Sequence, residues 1–115
     1  MSDRWPEGVA RHVLARTDST NAEALRLAPG LSGPAWILAR EQTAARGRRG
    51  RGWSMPDGNF AGTLILRPKG GPAAAAQFSF VAALALYDAL GDACGPSARL
   101  AIKWPNDVLL NGGKV

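Results

Sequence analysis

Residues 46–53 read Arg-Gly-Arg-Arg-Gly-Arg-Gly-Trp and concentrate positive charge in one short stretch. Arginine offers planar donors that pair with carboxylate and phosphate oxygens, and glycine lets backbone N–H groups approach a ligand closely. The closing Trp53 could stack on a nucleobase. This composition fits two functions equally well: a loop that closes over an anionic nucleotide, and an Arg-Gly tract that binds RNA.

The net charge of the chain depends almost entirely on this stretch. The sequence has 14 Lys and Arg against 9 Asp and Glu, a formal charge of +5. Without the four arginines of the stretch, 10 basic residues would face 9 acidic ones. A general nucleic-acid-binding protein usually spreads its positive charge along a groove or stripe, whereas a concentrated cluster also fits a local phosphate site.

A second polar group, Lys103-Trp104-Pro105-Asn106-Asp107, lies between two apolar segments. Pro105 interrupts a strand, so the polar side chains can turn toward a pocket. A lysine suits phosphate as a point charge, and an aspartate can orient that lysine or help to hold Mg²⁺. A plain Trp-Pro bend followed by an Asn-Asp turn explains the same residues equally well on their own.

A third polar group, Ser19-Thr20-Asn21, precedes a short apolar-periodic segment. Thr20 followed three residues later by Glu23 predicts a capping box. Hydroxyl and amide side chains at a helix start are most often caps. They also suit a ligand with a ureido or amide group.

Several other kinds of site and segment are not supported by the sequence. With one histidine and one cysteine, it offers neither a zinc site nor an internal disulfide. No P-loop pattern occurs, and the first residues lack the apolar run of a signal peptide. The most apolar stretch, 73–87, falls short of the roughly 20 residues that a membrane span needs. We therefore expect a soluble cytoplasmic protein.

Short strands and two helices would position these groups. Apolar runs and alternation predict strands over 12–17, 35–40, 60–67, 99–104 and 107–110. A short helix should extend from about residue 22 to Pro29-Gly30, and residues 42–58 should form a long loop.

The longest predicted element is a helix over 73–93. It is apolar on most sides, so we expect it to be largely buried. Asn111-Gly112-Gly113 predicts a hairpin turn before Lys114-Val115. The order of elements predicts one α+β domain, with a mixed β-sheet and helices packed on one face.

Four motifs, taken together, resemble the biotin protein ligase family: "DSTN" (18–21), "EQTAARGRRGRGW" (41–53), "GNFAGTLILRP" (58–68) and "KWPNDVLLNGGK" (103–114). The resemblance covers roughly residues 12–115. It implies the class II aminoacyl-tRNA-synthetase-like biotin/lipoate ligase fold. It also implies an ATP-dependent enzyme that uses Mg²⁺, makes biotinyl-5'-AMP and transfers biotin to a lysine of a biotin carboxyl carrier domain.

The resemblance further implies a role for each matching residue. Biotin would be bound by Ser19, Thr20, Asn21, Gln42, Arg46, Gly47, Arg48 and Lys114. ATP and the adenylate would be bound by Arg48, Arg49, Arg51, Trp53, Lys103, Asn106 and Asp107. The catalytic residues would be Arg48, Lys103 and Lys114, and no residue is assigned directly to the metal. Trp36, Leu38 and strand 60–66 would supply the apolar walls of the biotin pocket.

This chemistry agrees with the residues that the sequence contains. The biotin carboxylate must attack the α-phosphate, and basic groups with Mg²⁺ offset the repulsion between the two anions. The adenylate is itself an activated acyl group, so no protein nucleophile is needed.

Three departures from the family pattern bear on function. Position 45 is alanine where the family usually has glycine. No helix-turn-helix precedes the catalytic segment, so no DNA binding is expected. The chain ends just after Lys114, so the resemblance implies the N-terminal portion of the catalytic domain, without its remaining strands and C-terminal domain.

Two alternatives stay open. One is a lipoate or octanoate ligase of the same fold, although its Arg-Arg-x-x-Gly-Gly-Gly run is missing. The other is an Arg-Gly RNA-binding module, which predicts steeply salt-dependent binding of RNA. A homodimer formed through a sheet edge is compatible with either ligase.

Overall fold

The computed structural model describes residues 4–45, 58–105 and 107–115 of the 115-residue chain. The chain divides into two compact units, Met1–Arg67 and Pro68–Val115. Each unit combines helices with a three-stranded sheet. The predicted α+β class is therefore confirmed.

The first unit contains a mixed sheet of β1 (Ala10–Thr17), β2 (Ala35–Gln42) and β3 (Ala61–Ile65), in the order β1-β2-β3. β1 and β2 are parallel, and β2 and β3 are antiparallel. β1 begins two residues earlier than predicted because Ala10 already pairs with the first residue of β2. β3 is shorter than the predicted strand over 60–67.

Helix α1 (Thr20–Leu27) packs against one face of this sheet and is followed by a 3₁₀ turn over Ala28–Gly30. Side chains alternate between the two faces of a strand. Accordingly, every second residue of β2 faces the helix. The centre of the small core between helix and sheet is formed by the buried residues Ala35 and Ile37 of β2 and Ala24 of α1. Leu14, Leu27, Leu31 and Ile65 pack around them.

The start of α1 differs from the prediction. The N-cap is Ser19, whose backbone is extended and whose hydroxyl accepts a hydrogen bond from the amide of Ala22 at 3.0 Å. Thr20 is already helical, so a capping box with Thr20 as the cap is wrong. As a result, the Thr20 side chain is available for contacts outside the helix.

The second face of the sheet, which we call the open sheet face, carries Val13, Trp36, Leu38, Gly62 and Leu64. Val13 pairs with Leu38, and Trp36 pairs with Leu64. The ring of Phe60 lies edge-on to Trp36, with ring centroids 6.5 Å apart. A Cβ atom at Gly62 would lie 2.5 Å from the Phe60 ring, so glycine is what allows this ring to lie so close to the strand.

The second unit contains α2 (Pro72–Ala76), α3 (Phe78–Cys94) and an antiparallel sheet of β4 (Leu100–Lys103), β5 (Asp107–Leu110) and β6 (Gly113–Lys114). β4 lies within the predicted strand 99–104 and ends one residue earlier, at Lys103, before the Trp104–Pro105 bond. Asn111 and Gly112 both have positive φ, which a two-residue hairpin turn of this kind requires. The predicted hairpin is confirmed, with a second strand that starts at Gly113.

The predicted single helix over 73–93 is interrupted at Gln77. In a continuous α-helix the amide of Phe80 would bond the carbonyl of Ala76. Here the hydroxyl of Ser79 donates to that carbonyl at 2.9 Å, and the Phe80 amide bonds Gln77 instead. Local competition from a serine hydroxyl therefore separates α2 from α3.

The expectation that this helix is largely buried is wrong. Only Ala83 of α3 is buried, and Phe78, Phe80, Val81 and Leu84 are each more than two-fifths exposed. A helix that is apolar on all sides needs partners on all sides, whereas β4 and β5 lie against one side of it.

The helical run Pro72–Cys94 is long and apolar enough to cross a membrane by length and composition alone. The expectation that no segment reaches this length is therefore wrong. One such helix is weak evidence of a membrane span, because a mostly buried core helix of a soluble protein and a signal sequence pass the same test; 6% of this window is buried.

Candidate functional site

The predicted biotin-binding residues of the first unit lie where the parallel strands β1 and β2 end. Thr17 ends β1 and pairs with Gln42, which ends β2. Ser19 and Thr20 follow β1 after one intervening residue, Asp18, at the start of α1. Crevices at the carboxyl ends of parallel strands are common ligand sites in open sheets. The fold thus brings together three of the residues that the motifs indicated.

A compact hydrogen-bond network joins Thr20 to two strands. The backbone N–H of Thr20 donates to Oε1 of Gln42 at 2.8 Å, and the Thr20 hydroxyl lies 3.2 Å from the same oxygen. The Thr20 hydroxyl also lies 2.8 Å from the hydroxyl of Thr63 in β3. Thr20 is buried, so these contacts fix its side chain in the interior end of the site.

Ser19 offers a different hydrogen-bonding group beside Thr20. Its oxygen accepts the Ala22 amide, and a hydroxyl group that accepts one bond still has a proton to donate. The Ser19 hydroxyl is only half-buried. Ser19 and Thr20 therefore present a hydroxyl donor and a hydroxyl oxygen on consecutive residues, which suits a ligand that carries a carbonyl next to an N–H group.

Asp18 anchors the corner between β1 and α1. Its carboxylate accepts the Ser19 amide at 2.8 Å and the Thr17 hydroxyl at 3.0 Å. Arg26 donates to both carboxylate oxygens, at 2.6 and 3.1 Å. The Arg26 guanidinium, the Ser19 amide and the Thr17 hydroxyl hold the pKa of Asp18 far below its usual value. The carboxylate thus ties the residues before and after the corner to the helix.

Asn21 differs from the other predicted biotin-binding residues. It is exposed in the first turn of α1, and in the part of the chain that the structure describes its side chain joins no hydrogen bond with Thr20 or Gln42. The structure therefore does not bring Asn21 into the network.

The apolar residues predicted to form pocket walls lie on the open sheet face. Trp36 and Leu38 alternate with the buried residues of β2, and Gln42 ends the same strand. The polar network at the end of β2 therefore continues into an apolar surface along the same strand. A ligand with a polar end and an apolar body matches this sequence of surfaces.

In the second unit, three predicted residues share one face of the sheet. Lys103 pairs across the strands with Asp107, and the ammonium of Lys114 lies 3.2 Å from the Asp107 carboxylate. Val108, which follows Asp107 in β5, is buried on the opposite face. One carboxylate therefore lies beside two lysines, which leaves a net positive face suited to anionic groups.

The described residues contain no cluster of three or more histidine, cysteine, aspartate or glutamate side chains that could hold a metal ion. Asp107 is already engaged by a lysine. The position of the Asp107 carboxylate suits a group that orients a lysine, the role considered from the sequence, better than it suits a principal ligand of a metal ion.

Several predicted roles lie outside the described residues. These roles were assigned to Arg46, Gly47, Arg48, Arg49, Arg51, Trp53 and Asn106. They stay predictions.

Sequence reasoning missed Thr63. It stands in an apolar strand segment, Ala61–Ile65, and nothing in its spacing distinguishes it from a core residue. The pairing of β3 with β2 brings it opposite Ile37, on the face against which α1 packs, and there its hydroxyl meets that of Thr20. The one signal that could have indicated Thr63 was its polar side chain on the side of a strand that faces a helix.

The fold is that of biotin protein ligases. The structure of biotin protein ligase from Leishmania major in complex with biotinyl-5-AMP matches with a TM-score of 0.74 and 27% sequence identity, over 96% of this chain and 50% of that one. The chain belongs to the biotin/lipoate A/B protein ligase family, whose model matches residues 13–115. The resemblance inferred from the four motifs is thereby confirmed.

Two relatives carry the same description, biotin–[acetyl-CoA-carboxylase] ligase. The protein from Paracoccus denitrificans is 84% identical over 103 residues, which is 90% of this chain and 43% of the relative. The protein from Mycobacterium tuberculosis is 40% identical over 108 residues, 90% of this chain and 41% of the relative. The chain therefore spans less than half the length of these relatives.

Proposed function

We propose that this chain forms the biotin- and ATP-binding part of a biotin protein ligase, which makes biotinyl-5'-AMP and passes biotin to a lysine of a biotin carboxyl carrier domain. The carrier of acetyl-CoA carboxylase is the proposed partner, by analogy with the relatives' names. The observation that carries the proposal is the hydrogen-bonding set of Ser19, Thr20 and Gln42 beside an apolar sheet face. This arrangement matches the ureido head and the apolar body of biotin.

The role of each group follows from its chemistry. Ser19 would donate to the ureido carbonyl, and Thr20 would accept a ureido N–H. Lys103 and Lys114 would offset the repulsion between the biotin carboxylate and the α-phosphate, and Asp107 would orient Lys114. Arg48 and the rest of the 46–53 stretch would bind the adenylate and help to exclude water.

ATP would bring Mg²⁺ with it, because Mg²⁺ is usually held by substrate phosphates and only one or two carboxylates. The metal would supply charge neutralisation at the phosphates. Asp107 is a carboxylate that lies beside Lys103 and Lys114. The protein is proposed to act in the cytoplasm, without DNA or a membrane as partner.

A lipoate or octanoate ligase is the second candidate within the family. The ring of lipoate and the chain of octanoate offer neither an N–H group nor a carbonyl to the end of β2. Ser19, Thr20 and Gln42 would then lie against an apolar ligand, which would cost free energy unless other partners satisfied them. The hydrogen-bonding set thus favours biotin.

The test is the exchange of labelled pyrophosphate into ATP, with Mg²⁺, by the full chain as its gene encodes it. Exchange should depend on biotin and be absent with lipoate or octanoate. Thr20→Val keeps the shape of the side chain and removes its oxygen, so KM for biotin should rise at least about tenfold.

Thr43→Val is the matched control, because Thr43 is exposed and its hydroxyl makes only a long bond to the carbonyl of Thr17. It should exchange like the parent. Exchange driven by lipoate or octanoate would move the assignment to the sister ligases. If none of the acids supported exchange and the chain bound RNA in a salt-sensitive way, the RNA-binding module would be favoured.

A further inference from the structure

We propose that Thr63 is a positioning residue for the biotin site, which acts by fixing the hydroxyl of Thr20. This inference rests on the proposed function. It concerns a residue that lies outside the polar groups that the motifs indicated. The observation behind it is the 2.8 Å contact between the hydroxyls of Thr63 and Thr20.

The direction of one of these hydrogen bonds is fixed by its donor. The backbone N–H of Thr20 can only donate, so the side-chain atom of Gln42 that it meets is the amide oxygen. The Thr20 hydroxyl lies 3.2 Å from that oxygen, and either hydroxyl of the Thr20–Thr63 pair could be the donor in their contact. In the proposed arrangement, Thr20 donates its single proton to Gln42. The contact with Thr63 can then be a hydrogen bond only if Thr63 is the donor.

The resulting chain of bonds leads from the Thr63 hydroxyl to the Thr20 hydroxyl to Gln42. With its proton committed to Gln42, Thr20 keeps a lone pair that can accept from a ligand. Two partners, Gln42 and Thr63, hold the hydroxyl in one rotamer and so aim this lone pair. Thr63 thus helps to make Thr20 an acceptor of fixed direction, which is what a ureido N–H requires.

The surroundings of Thr63 support this role. Thr63 is itself partly buried, and it lies opposite Ile37, which is fully buried, on the sheet face covered by α1. A hydroxyl in apolar surroundings costs free energy unless it is bonded. Valine has the same shape and would fill the same position without that cost. The hydroxyl is therefore explained by its contact with Thr20.

The experiment compares Thr63→Val and Thr63→Ser in the full chain as its gene encodes it, using the KM for biotin and kcat of biotin-dependent pyrophosphate exchange. Thr63→Val removes the hydroxyl and should raise KM for biotin about tenfold, with kcat within twofold. Thr63→Ser keeps the hydroxyl and should stay within about threefold of the parent. Thermal unfolding of each variant shows whether it is folded.

A double-mutant cycle separates positioning from a general structural effect. When Thr20→Val has already removed the oxygen that Thr63 positions, adding Thr63→Val should leave KM for biotin unchanged. If Thr63→Val raised KM by the same factor in both backgrounds, the residue would be structural and the inference wrong. Should Thr63→Val fail to fold, Thr63→Ala serves in the same cycle.

The remaining outcomes separate the inference from the proposed function. A parent that exchanges with biotin and a Thr63→Val variant that behaves like it would overturn the inference alone. A Thr63→Ser variant as weak as Thr63→Val would also overturn it. A parent without biotin-dependent exchange would overturn the proposed function, and the inference with it.

Discussion

Asp18 and Arg26 show how an exposed ion pair can matter for geometry more than for stability. Arg26 is about half exposed, and pairs of this kind contribute little to the free energy of unfolding. The Asp18 carboxylate nevertheless bonds the amide of Ser19 and the hydroxyl of Thr17 as well as Arg26. The pair therefore holds the backbone that presents Ser19 and Thr20.

The first prediction concerns the titration of Asp18. Its folded pKa lies below the value of an unfolded aspartate, near 3.9, so its contribution to stability is present above that pH and is lost as pH falls through the folded pKa. In ¹³C NMR titrations of the side-chain carboxyl, Asp18 should stay ionised below pH 3.9. Arg26→Gln removes the largest cause and should raise the Asp18 pKa toward the ordinary value.

Arg16→Gln is the control for this titration. It removes another exposed ion pair, the one between Arg16 in β1 and Glu41 in β2. The Asp18 pKa should not change in that variant. An Asp18 that titrates normally in the parent would show that the bidentate contact with Arg26 does not persist in solution.

Much of the site could be predicted from motifs, because Ser19, Thr20, Gln42, Lys103 and Lys114 occur in sequence patterns that identify a family. Thr63 also lies in one of these motifs, "GNFAGTLILRP", but the motif indicated only an apolar wall there and gave Thr63 no role of its own. Its importance depends on the register between β2 and β3 and on the position of α1, and neither is encoded in local spacing. The ion pair of Asp18 with Arg26, eight residues apart, likewise requires the corner before α1.

Strands and turns were easier to predict than the environment of the helix. Alternation located the strands to within a few residues, and Asn111-Gly112 specified its turn through the positive φ of both residues. The burial of α3 could not be read from composition, because an apolar helix shows that partners are needed but not which ones are present. The break at Gln77 depends on the hydroxyl of one residue, Ser79. Serine hydroxyls also cap or end helices in many other contexts, so this effect could not be read from the sequence.

The second prediction compares two side-chain truncations in one sheet. Ile37 is fully buried between β2 and α1, whereas Val13 on β1 is 62% exposed on the open sheet face. Ile37→Ala should lower the free energy of unfolding by about 2–5 kcal/mol, because it removes buried methyl groups and leaves a cavity. Val13→Ala should change it by less than about 0.5 kcal/mol.

Urea unfolding, followed by the circular dichroism of the sheet and helices, measures both changes. Similar losses from the two truncations would show that the open sheet face is covered in solution. A small loss from Ile37→Ala would contradict the core assigned to α1 and β2.

For the polypeptide as a whole, the outstanding feature is the amount of apolar surface exposed in each unit. Phe60 and Val13 are exposed in the first unit. In the second, the ring of Phe80 lies 5.4 Å from that of Trp104, and both side chains are about half exposed. Exposed apolar surface of this kind, when it is contiguous, is typical of faces that contact another protein segment or promote association.

The last prediction is that a polypeptide of these 115 residues alone self-associates at micromolar concentrations. Light scattering should detect species larger than a monomer. Val81 and Leu84 are both exposed, one turn apart on α3. Replacing both with lysine should reduce association, since it adds charge to the apolar face. Gln77→Lys with Ser97→Lys adds the same charge at exposed polar positions and should have a smaller effect.

A second comparison identifies what covers these faces. The chain can be extended beyond Val115 with the residues that follow in the Paracoccus relative, which is more than twice as long. If those residues pack on α3, the extended polypeptide should be more monomeric, and Val81→Lys with Leu84→Lys should now destabilise it. If the extended and unextended chains associate equally, the exposed side of α3 is covered by another molecule, and a second copy of the chain becomes the first partner to test.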